Sequence, residues 1–276
     1  MKRVILVLAV AMTAACSSQP KVEPAPAAPV VAKSLPTTLS EAVASDRRSD
    51  KNKLRDQARH PQQTLEFFDI KRDQTVMEIN PASGWYTEIL APYLAEKGHY
   101  IAAVRNTDMT GEGNADLHKW LDANPDVASK ITFAKFGEDK TPLAPADSVD
   151  RIVTFRNVHN WMMSHNEKKV FKAFYAALKP GGILGVVEHR AGKNNKDKHG
   201  EKGYVSEKAV IAMAKSAGFE LLEKSEINAN PKDTKNYPDG VWDLPPTLKK
   251  GDQDRDKYLA IGESDRMTLK FIKPQD

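Results

Sequence analysis

Residues 76–94 read VMEINPASGWYTEILAPYL, and this stretch decides the fold. Its beginning, Val76 to Ile79, is short and mostly apolar, which predicts a buried strand. From Tyr86 to Leu94 the apolar residues return at helical spacing, so a helix follows the strand after a short turn. Pro92 should kink this helix or loosen its last turn, because proline lacks the backbone N–H that a helix needs.

The same alternation of strand and helix continues toward the C-terminus. Further strands are predicted at 100–104, 131–134, 150–155, 183–188, 219–227 and 267–272. Helices are predicted at 114–121, at 167–178, and from the cap Ser206 to the residue before Gly218. Strands that alternate with helices indicate an α/β fold with an open, mostly parallel sheet covered on both faces. Ligands of such sheets bind beyond the carboxyl ends of the strands, so the residues after each strand are the site candidates.

The segments around this alternating core have different compositions. Residues 40–59 are polar and favour helix, with Ser40 as the expected N-cap, and Pro61 begins a short helix. Residues 228–262 are rich in proline and aspartate, which predicts an irregular insertion.

The first residues have the order of a secretory signal peptide. Lys2 and Arg3 precede the apolar run 4–12, and small residues then lead to Cys16, the only cysteine. The run is too short to span a bilayer as a helix, which takes about 20 residues. The order resembles the bacterial lipobox, whose cysteine is lipidated and becomes the mature amino terminus, although Thr13 stands where leucine is usual. The alternative is an ordinary cleaved signal with a coincidental cysteine.

We therefore expect a signal peptide at 1–15, a tether rich in proline and alanine at 16–39, and a folded domain at 40–276. The tether cannot bury a core, and its prolines keep it extended, so it would hold the domain away from a membrane. We expect a cell-envelope protein anchored by a lipid on Cys16. Ser17 after the cysteine resembles lipoproteins that are sorted to an outer membrane, which places the domain on its periplasmic side.

The composition, 40% hydrophobic and 28% charged residues, is that of a soluble globular domain. The net charge is +4, and removal of Lys2 and Arg3 with the signal peptide leaves 39 basic against 37 acidic residues, or +2. So small an excess gives no reason to expect nucleic acid as a partner. With a single cysteine no disulfide can form within the chain, so the fold must be stable without one.

Three motifs, in the expected order, resemble those of class I S-adenosylmethionine-dependent methyltransferases. Residues 78–84, EINPASG, resemble the family's acidic-x-Gly-x-Gly-x-Gly loop. Residues 149–153 followed by 157–161 resemble its fourth-strand segment, and LKPGG at 178–182 before a strand is among its most recognisable features. The resemblance implies a Rossmann-like doubly wound sheet with an antiparallel last strand, and S-adenosylmethionine as the cofactor.

Two longer strings, 84–90 and 155–161, resemble a narrower group of secreted, predicted methyltransferases. This resemblance implies no particular substrate.

The resemblance further implies that the cofactor binds over the loop after the first strand. The residues concerned are Glu78, Asn80, Ala82 and Gly84. Glycine in such a loop allows positive φ and a close approach of backbone to ligand. Gly84 keeps the last glycine, Asn80 replaces the first and tolerates left-handed geometry better than most residues, and Ala82 adds a methyl group where the cofactor would lie. The alternative is a strand-to-helix turn that binds no ligand.

Three further cofactor contacts are implied: Asn106 near the ribose, Glu138 on the adenine side, and Arg156 after the fourth strand. The family usually ends its second strand with a carboxylate that binds two ribose hydroxyls. Asn106 can accept one of these hydrogen bonds but is not a carboxylate, so we expect weaker cofactor binding than in relatives with the full motif. For Glu138 the alternative is a solvated surface acid.

Polar residues that follow the fourth and fifth strands should face the substrate. They are Asn157, His159, Glu188 and His189. Methyl transfer is an in-line displacement that depends mainly on positioning, and a general base is needed only for some nucleophiles. Each of the four is alternatively a packed or capping residue. No metal is expected, because the histidines show neither helical nor clustered ligand spacing.

Two functions remain open. The first is an enzyme that transfers a methyl group to a small molecule or a protein side chain, and the retained loop and fourth-strand segment favour it. The second is a catalytically silent binding module of the periplasm with the same fold. An extracytoplasmic location favours the second function, because the cofactor is made in the cytoplasm and a charged sulfonium does not cross membranes unaided. We expect the enzyme.

The anchor can be tested directly. Cys16→Ala removes the thiol that would carry the lipid, so the protein should leave the membrane fraction and lose incorporation of labelled fatty acid. Fractionation and labelling of cells that express both forms measure this. Unchanged membrane association together with unchanged labelling would rule the anchor out.

Overall fold

The computed structural model describes residues 33–105, 114–137 and 142–275. The compact unit that contains the sheet begins at Ser34. Pro36 and Leu39 are buried within it, so packing starts ahead of the domain boundary expected at residue 40. Cys16 and the expected signal peptide lie outside the described residues. No helix within the described ranges is long and apolar enough to cross a membrane.

The described residues form seven strands and eleven α-helices. The strands are β1 Thr75–Ile79, β2 His99–Val104, β3 Thr132–Lys135, β4 Val149–Phe155, β5 Leu178–His189, β6 Glu220–Ser225 and β7 Arg266–Ile272. The helices before β1 are α1 Leu39–Ala44, α2 Asp50–Lys53, α3 Asp56–Arg59 and α4 Pro61–Phe67. The later helices are α5 Thr87–Leu94, α6 Ala115–Ala123, α7 Pro125–Ala128, α8 Val158–Met163, α9 Glu167–Ala177, α10 Glu207–Ala217 and α11 Arg255–Ile261.

The strands form one sheet in the order β3-β2-β1-β4-β5-β7-β6. Strands β1 to β5 are parallel to their neighbours, whereas β7 pairs antiparallel with both β5 and β6. This is a doubly wound α/β sheet with an antiparallel last strand, which confirms the predicted fold class. Ile79 at the end of β1 pairs with Ala103 of β2 and Thr154 of β4, so β1 lies inside the parallel part of the sheet.

Strand β1 is buried on both faces, as a mostly apolar strand in a parallel sheet should be. Met77 and Ile79 belong to the hydrophobic cluster that contains Phe171 of α9. Val76 belongs to a second cluster, which contains Leu90 of α5. Alternate residues of the strand therefore pack against helices on opposite sides of the sheet, and this fixes the register that places the loop after β1 at the sheet's edge.

The region 40–59 differs from its prediction, because it forms three short helices, and the N-cap of the first is Thr38 rather than Ser40. The Thr38 hydroxyl accepts a hydrogen bond from the Glu41 N–H at 3.1 Å, and the Glu41 carboxylate accepts one from the Thr38 N–H. This reciprocal arrangement is a capping box. Helix α1 ends at Ser45, whose ψ of 140° is extended.

Two other segments also depart from their predictions. The fifth strand was predicted to begin at residue 183, but β5 begins at Leu178 and residues 179–182 form an irregularity within it. Leu178 already pairs with Val149 before the main ladder resumes at Ile183. The insertion 228–262 contains helix α11 and a 3-10 turn at Gly240–Asp243, and the turn places one tryptophan at the site described below.

The capping box generates a stability prediction. Thr38→Ala leaves an N-terminal N–H of α1 without its acceptor and should lower the free energy of unfolding by about 1 kcal/mol. Ser40→Ala is the matched control, because Ser40 is exposed and should change stability by less than about 0.5 kcal/mol. Urea unfolding of both variants measures the difference. Equal effects would show that Thr38 does not cap the helix.

Candidate functional site

A cavity of about 270 Å³ lies where β1 and β4 end. Arg55 and Arg59, at the two ends of α3, contribute to its wall. The end of β1 and the loop after it contribute 78–83, and the end of β4 and the residues after it contribute 155–157. Trp242 of the insertion forms a further part of the wall. The position agrees with the rule that ligands of open parallel sheets bind beyond the strands' carboxyl ends.

The loop after β1 has a left-handed backbone at three alternate positions. The φ angles are 51° at Asn80, 50° at Ala82 and 81° at Gly84. Residues with a Cβ avoid this region, at a cost of roughly 1–2 kcal/mol each. At Asn80 and Ala82 the loop therefore has a left-handed backbone, for which glycine is the default residue. Both residues adopt it although their side chains disfavour positive φ.

Gly84 is required for packing as well as for φ. A Cβ built at this position would lie 2.8 Å from Cδ1 of Leu117, which is fully buried in α6. Any side chain at residue 84 would therefore disturb the core on that side of the sheet. Substitution of Gly84 tests folding and binding together, so it cannot isolate the cofactor site.

The side-chain amide of Asn157 joins the ends of β1 and β4. Its Nδ2 donates to the backbone carbonyl of Ile79 at 3.0 Å and to Oγ1 of Thr154 at 3.1 Å. Its Oδ1 accepts from Nδ2 of Asn80 at 3.2 Å. Because the amide makes bonds through both of its atoms, Asn157 positions the loop. Asn157 also lines the cavity, and the substrate contact expected from the sequence stays a prediction.

Glu78 is a buried carboxyl with one engaged oxygen. Its Oε2 accepts hydrogen bonds from the hydroxyls of Tyr100 at 2.5 Å and Thr87 at 3.2 Å. No residue that the structure describes bonds to its Oε1, although Glu78 lines the cavity. Burial raises the pKa of Glu78 to about 7, and the two hydroxyl hydrogen bonds only partly oppose this rise.

Glu188 lies behind the cavity and holds the first turn of α8. One of its oxygens accepts from the backbone N–H of Val158 at 2.6 Å and of His159 at 3.3 Å. The other accepts from the N–H of His189 at 2.8 Å and lies 3.1 Å from Nδ1 of the His159 ring. With Nδ1 of His159 assigned as the donor to this oxygen, Nε2 is left as the ring's acceptor.

His189 completes a pair of histidines on the cavity wall, with its ring centre 5.6 Å from that of His159. Its Nδ1 lies 2.5 Å from Oγ of Ser264 on the opposite side. Burial holds the pKa of His189 well below its usual value, and neighbouring cationic groups lower it further. His189 is therefore neutral at pH 7.

His159, Glu188 and His189 each offer one ligand atom, and these atoms lie within 4.8 Å of one another. The sequence analysis grouped these residues as substrate-facing but found no metal-ligand spacing, because the pairing of β4 with β5 is what brings their ligand atoms together. Two imidazoles and one carboxylate suit a divalent transition metal. Glu188, however, already accepts four N–H hydrogen bonds. A metal would have to displace some of them, so the cluster fits an oriented histidine better than a metal centre.

Three arginines bind one carboxylate beside the cavity, and a fourth arginine lines the cavity without binding that carboxylate. Glu263 is bound by Arg55 at 2.6 Å, by Arg59 at 3.2 Å and by Arg266. Arg156 follows β4 with a left-handed φ of 60° and lines the cavity. Burial lowers the pKa of Arg156 to about 10, and the charge of Arg266 adds to this effect.

The structure brings together most of the residues that the sequence singled out. Seven of them line the cavity: Glu78, Asn80, Ala82, Arg156, Asn157, His159 and His189. Gly84 and Glu188 support it from behind. Asn106 and Glu138 lie outside the described residues.

Sequence reasoning missed Arg55, Arg59 and Trp242 as cavity residues. Their only signal was position, since the first two lie in a polar helical region before β1 and the third in the insertion. Trp242 packs edge-on against His159, with ring centres 5.5 Å apart. The insertion therefore covers part of the site.

Comparisons with known proteins agree with this geometry. No family model matches the chain. It is 26% identical, over 125 residues, to the ubiquinone/menaquinone biosynthesis C-methyltransferase of Pectobacterium carotovorum subsp. carotovorum, and equally to that of Pectobacterium atrosepticum. The match covers 45% of this chain and 46% of each relative, so the chain spans about half the length of the curated relatives it matches.

Solved structures show the fold. A S-adenosylmethionine-dependent methyltransferase of Aquifex aeolicus has a TM-score of 0.55 at 16% identity, over 85% of this chain and 98% of that one. The [4+2]-cyclase SpnF has a TM-score of 0.54 at 14% identity, over 86% and 92%. A putative sarcosine dimethylglycine methyltransferase of Galdieria sulphuraria has a TM-score of 0.53 at 13% identity, over 79% and 87%. The chain therefore has the class I methyltransferase fold.

The buried carboxyl of the site generates a pH prediction. The pKa of Glu78 rises on folding from 4.5 to about 7, so between these values the folded chain keeps a proton that the unfolded chain releases. This group's contribution to stability is complete below pH 4.5 and is lost as the pH rises through 7, by about 1.4 kcal/mol per pH unit.

Glu78→Gln removes this titration while it keeps an acceptor for the hydroxyls. Between pH 5 and pH 8 the wild-type chain should lose about 2 to 3 kcal/mol of unfolding free energy relative to the variant. Urea unfolding of both chains at the two pH values measures this, and the titrations they share, such as that of His189, cancel. Parallel pH profiles would show that Glu78 is ionised throughout.

Proposed function

We propose that this protein transfers a methyl group from S-adenosylmethionine to a small-molecule or protein acceptor. The observation that carries the proposal is the left-handed backbone at Asn80, Ala82 and Gly84. This is the conformation that glycines allow in the loop that the chain's sequence resembles. The class I fold and the names of the curated relatives support the same activity.

The residues on the cavity wall fit the amino-acid end of this cofactor. Oε1 of Glu78 has no partner among the described residues, and an ammonium group bound there would favour the ionised carboxylate. Asn80 and Ala82 leave the loop backbone close to the cavity. We assign the ribose to Asn106 and the adenine to Glu138, as the resemblance implies. When bound, S-adenosylmethionine supplies an electrophilic methyl group on a sulfonium.

His159 is the residue best placed to accept a proton from an acceptor. With its Nδ1 assigned as the donor to Glu188, the lone pair on Nε2 is available at the cavity wall. Its burial and the contact with Trp242 restrict the ring to one orientation. An acceptor whose hydroxyl, amine or acidic carbon loses a proton during transfer would deliver that proton to Nε2 of His159.

A silent binding module is the second candidate, and two observations favour it. Ala82 carries a methyl group at the loop, which narrows the space for a cofactor. The likeness to a [4+2]-cyclase also shows that this fold is shared by a protein named for a different reaction. Cofactor binding by the loop separates the two candidates.

We also propose that the protein works in the cell envelope, on the periplasmic side of the outer membrane, held by a lipid on Cys16. The support for this location comes from the sequence of residues 1–38 alone. The acceptor would then be a molecule or protein of the envelope.

The experiment is calorimetry of the full-length chain with S-adenosylmethionine and with its demethylated product. Wild type should bind both, and Ala82→Gly should bind them about threefold to tenfold more tightly. The variant removes the methyl group that would lie against the bound cofactor, and relief of such an overlap is worth about 1 kcal/mol or more. The loop's φ of 50° at this position suits glycine without any change of shape.

The matched control is Asp254→Gly, at a left-handed and exposed position that does not line the cavity. It relieves the same kind of backbone strain, so it should leave cofactor affinity unchanged. If neither wild type nor Ala82→Gly binds the cofactor at millimolar concentration, the chain is not a methyltransferase and the binding module takes its place. Equal gains in both glycine variants would remove the loop from the binding site.

A further inference from the structure

We propose that Arg55, Arg59 and Arg156 bind an oxyanion of the methyl acceptor, most suitably a phosphate group. This inference rests on the proposed function for the identity of the ligand as an acceptor. The presence of an anion site in the cavity does not depend on that function, since it follows from the arrangement of charge.

The three guanidinium groups reach one cavity from two directions. Arg55 is the N-cap of α3 and Arg59 is its last residue, whereas Arg156 follows β4 at the carboxyl edge of the sheet. The cavity wall between them contains the loop after β1 and the two histidines. An anion held by all three would lie within the same enclosed space as the proposed methyl donor and base.

The charges around the cavity do not balance. Arg55, Arg59 and Arg266 share the single carboxylate of Glu263, and Arg156 has no ion pair with any described residue. Glu188 is the second carboxylate that acts on Arg156, and its oxygens already accept four N–H bonds. Four positive charges against two negative ones leave a formal excess of +2.

Glu78 also lines the cavity. Burial raises its pKa to about 7, so its protonated form leaves the excess at +2 and its ionised form lowers it to +1. Three further groups do not change the excess. His189 is neutral, because burial and the arginines depress its pKa. Tyr86 stays protonated, because burial raises its pKa to about 12. Asp265 is bound by Arg190 and Lys235, so its charge is already matched.

Several guanidinium nitrogens also lack hydrogen-bond partners. Nη2 of Arg55 and Nη2 of Arg59 are buried and bond to no described residue, and the whole of Arg59 is 3% exposed. Burial of an unpartnered donor is costly, and burial of an unpartnered charge more so. Arginine presents its N–H groups in a planar fork that matches carboxylate and phosphate oxygens. A ligand oxyanion would supply the missing acceptors.

Structural roles account for part of the cluster only. Arg59 stacks on the ring of Trp85, 4.7 Å from its centre, and both Arg55 and Arg59 help to fix Glu263. Arg156 has neither kind of contact: its guanidinium bonds to no residue in the described ranges, and its backbone is strained at φ 60°. Substitution of Arg156 can therefore distinguish a ligand-binding role of the arginines from a structural role.

The cofactor cannot supply the missing negative charge. S-adenosylmethionine has positive charges on its sulfur and its amino group and one negative charge on its carboxylate, a net charge of +1. An ionised Glu78 offsets only this charge, so the positive excess of the arginines remains. A phosphate monoester carries about −1.5 to −2 at pH 7, which matches the excess, whereas a carboxylate matches half of it. The methyl acceptor is therefore inferred to be an anion.

The experiment titrates the full-length chain with inorganic phosphate, and in parallel with acetate, at constant ionic strength. Trp85 and Trp242 line the cavity, so their fluorescence reports occupancy. Wild type should show saturable binding of phosphate, tighter than that of acetate. Arg156→Gln should weaken phosphate about tenfold to a hundredfold, the effect of losing a charged hydrogen bond, and Arg156→Lys should recover part of it.

The matched control is Arg151→Gln on the same strand. Arg151 does not line the cavity, and its guanidinium bonds to the backbone carbonyls of Asp69 and Asp150. This variant should leave phosphate binding unchanged. Because Arg156 has no ion pair to lose, Arg156→Gln should keep or raise the melting temperature of the ligand-free chain. A lower melting temperature would show a structural role and overturn the proposal.

A second arm separates the acceptor from the cofactor. The resemblance implied Arg156 as a cofactor contact, whereas this proposal assigns it to the acceptor. S-adenosylmethionine and its decarboxylated analogue should therefore bind Arg156→Gln as they bind wild type. If the variant weakens only the cofactor that retains its carboxylate, the arginines serve the cofactor and the proposal fails. Absence of phosphate and acetate binding also defeats it. Phosphate binding without cofactor binding would support the anion site and contradict the proposed methyl transfer. Failure of the anion site and failure of the proposed function therefore give different results.

Discussion

The hydrogen bond from Asn157 to the carbonyl of Ile79 is the contact on which the rest of the site depends. Strands β1 and β4 are neighbours in the sheet although the chain runs through β2 and β3 between them. Asn157 ties their ends together, and its Oδ1 receives the side chain of Asn80. The left-handed loop and the strained Arg156 both lie within three residues of this amide's partners, so loss of the contact would move both walls of the cavity.

The sequence predicted the fold well because its signals are local. Alternating apolar runs gave all seven strands within a few residues, and Ser206 and Gly218 were found at the two ends of α10. The N-terminal helices were predicted less well, because Thr38 rather than Ser40 caps α1 through a side-chain bond to Glu41. Propensity alone did not distinguish between two hydroxyl residues so close together.

The sequence predicted only those site residues that lie at or just after the end of a strand. The loop and the pair His159 and His189 were found in this way, since each lies just after β1, β4 or β5. The arginine cluster was not, because Arg55 and Glu263 are 208 residues apart and meet only when β7 inserts between β5 and β6. A formal excess of charge in a cavity is a property of the tertiary structure, and a sequence with nearly balanced charges gives no sign of it.

Strained backbone and buried unpartnered nitrogens occur together at this cavity, although both also occur elsewhere in the described residues. Asn80, Ala82 and Arg156 have left-handed backbones without being glycine, and Arg55 and Arg59 have buried nitrogens with no described partner. Each such feature costs on the order of 1–3 kcal/mol, against a total stability of about 5–15 kcal/mol for a typical domain. The surrounding sheet must therefore hold the cavity in a shape that the local residues disfavour. An anionic ligand that neutralises the arginines removes part of this free-energy cost, which strengthens its binding. A neutral analogue of the same shape cannot do so and should therefore bind more weakly.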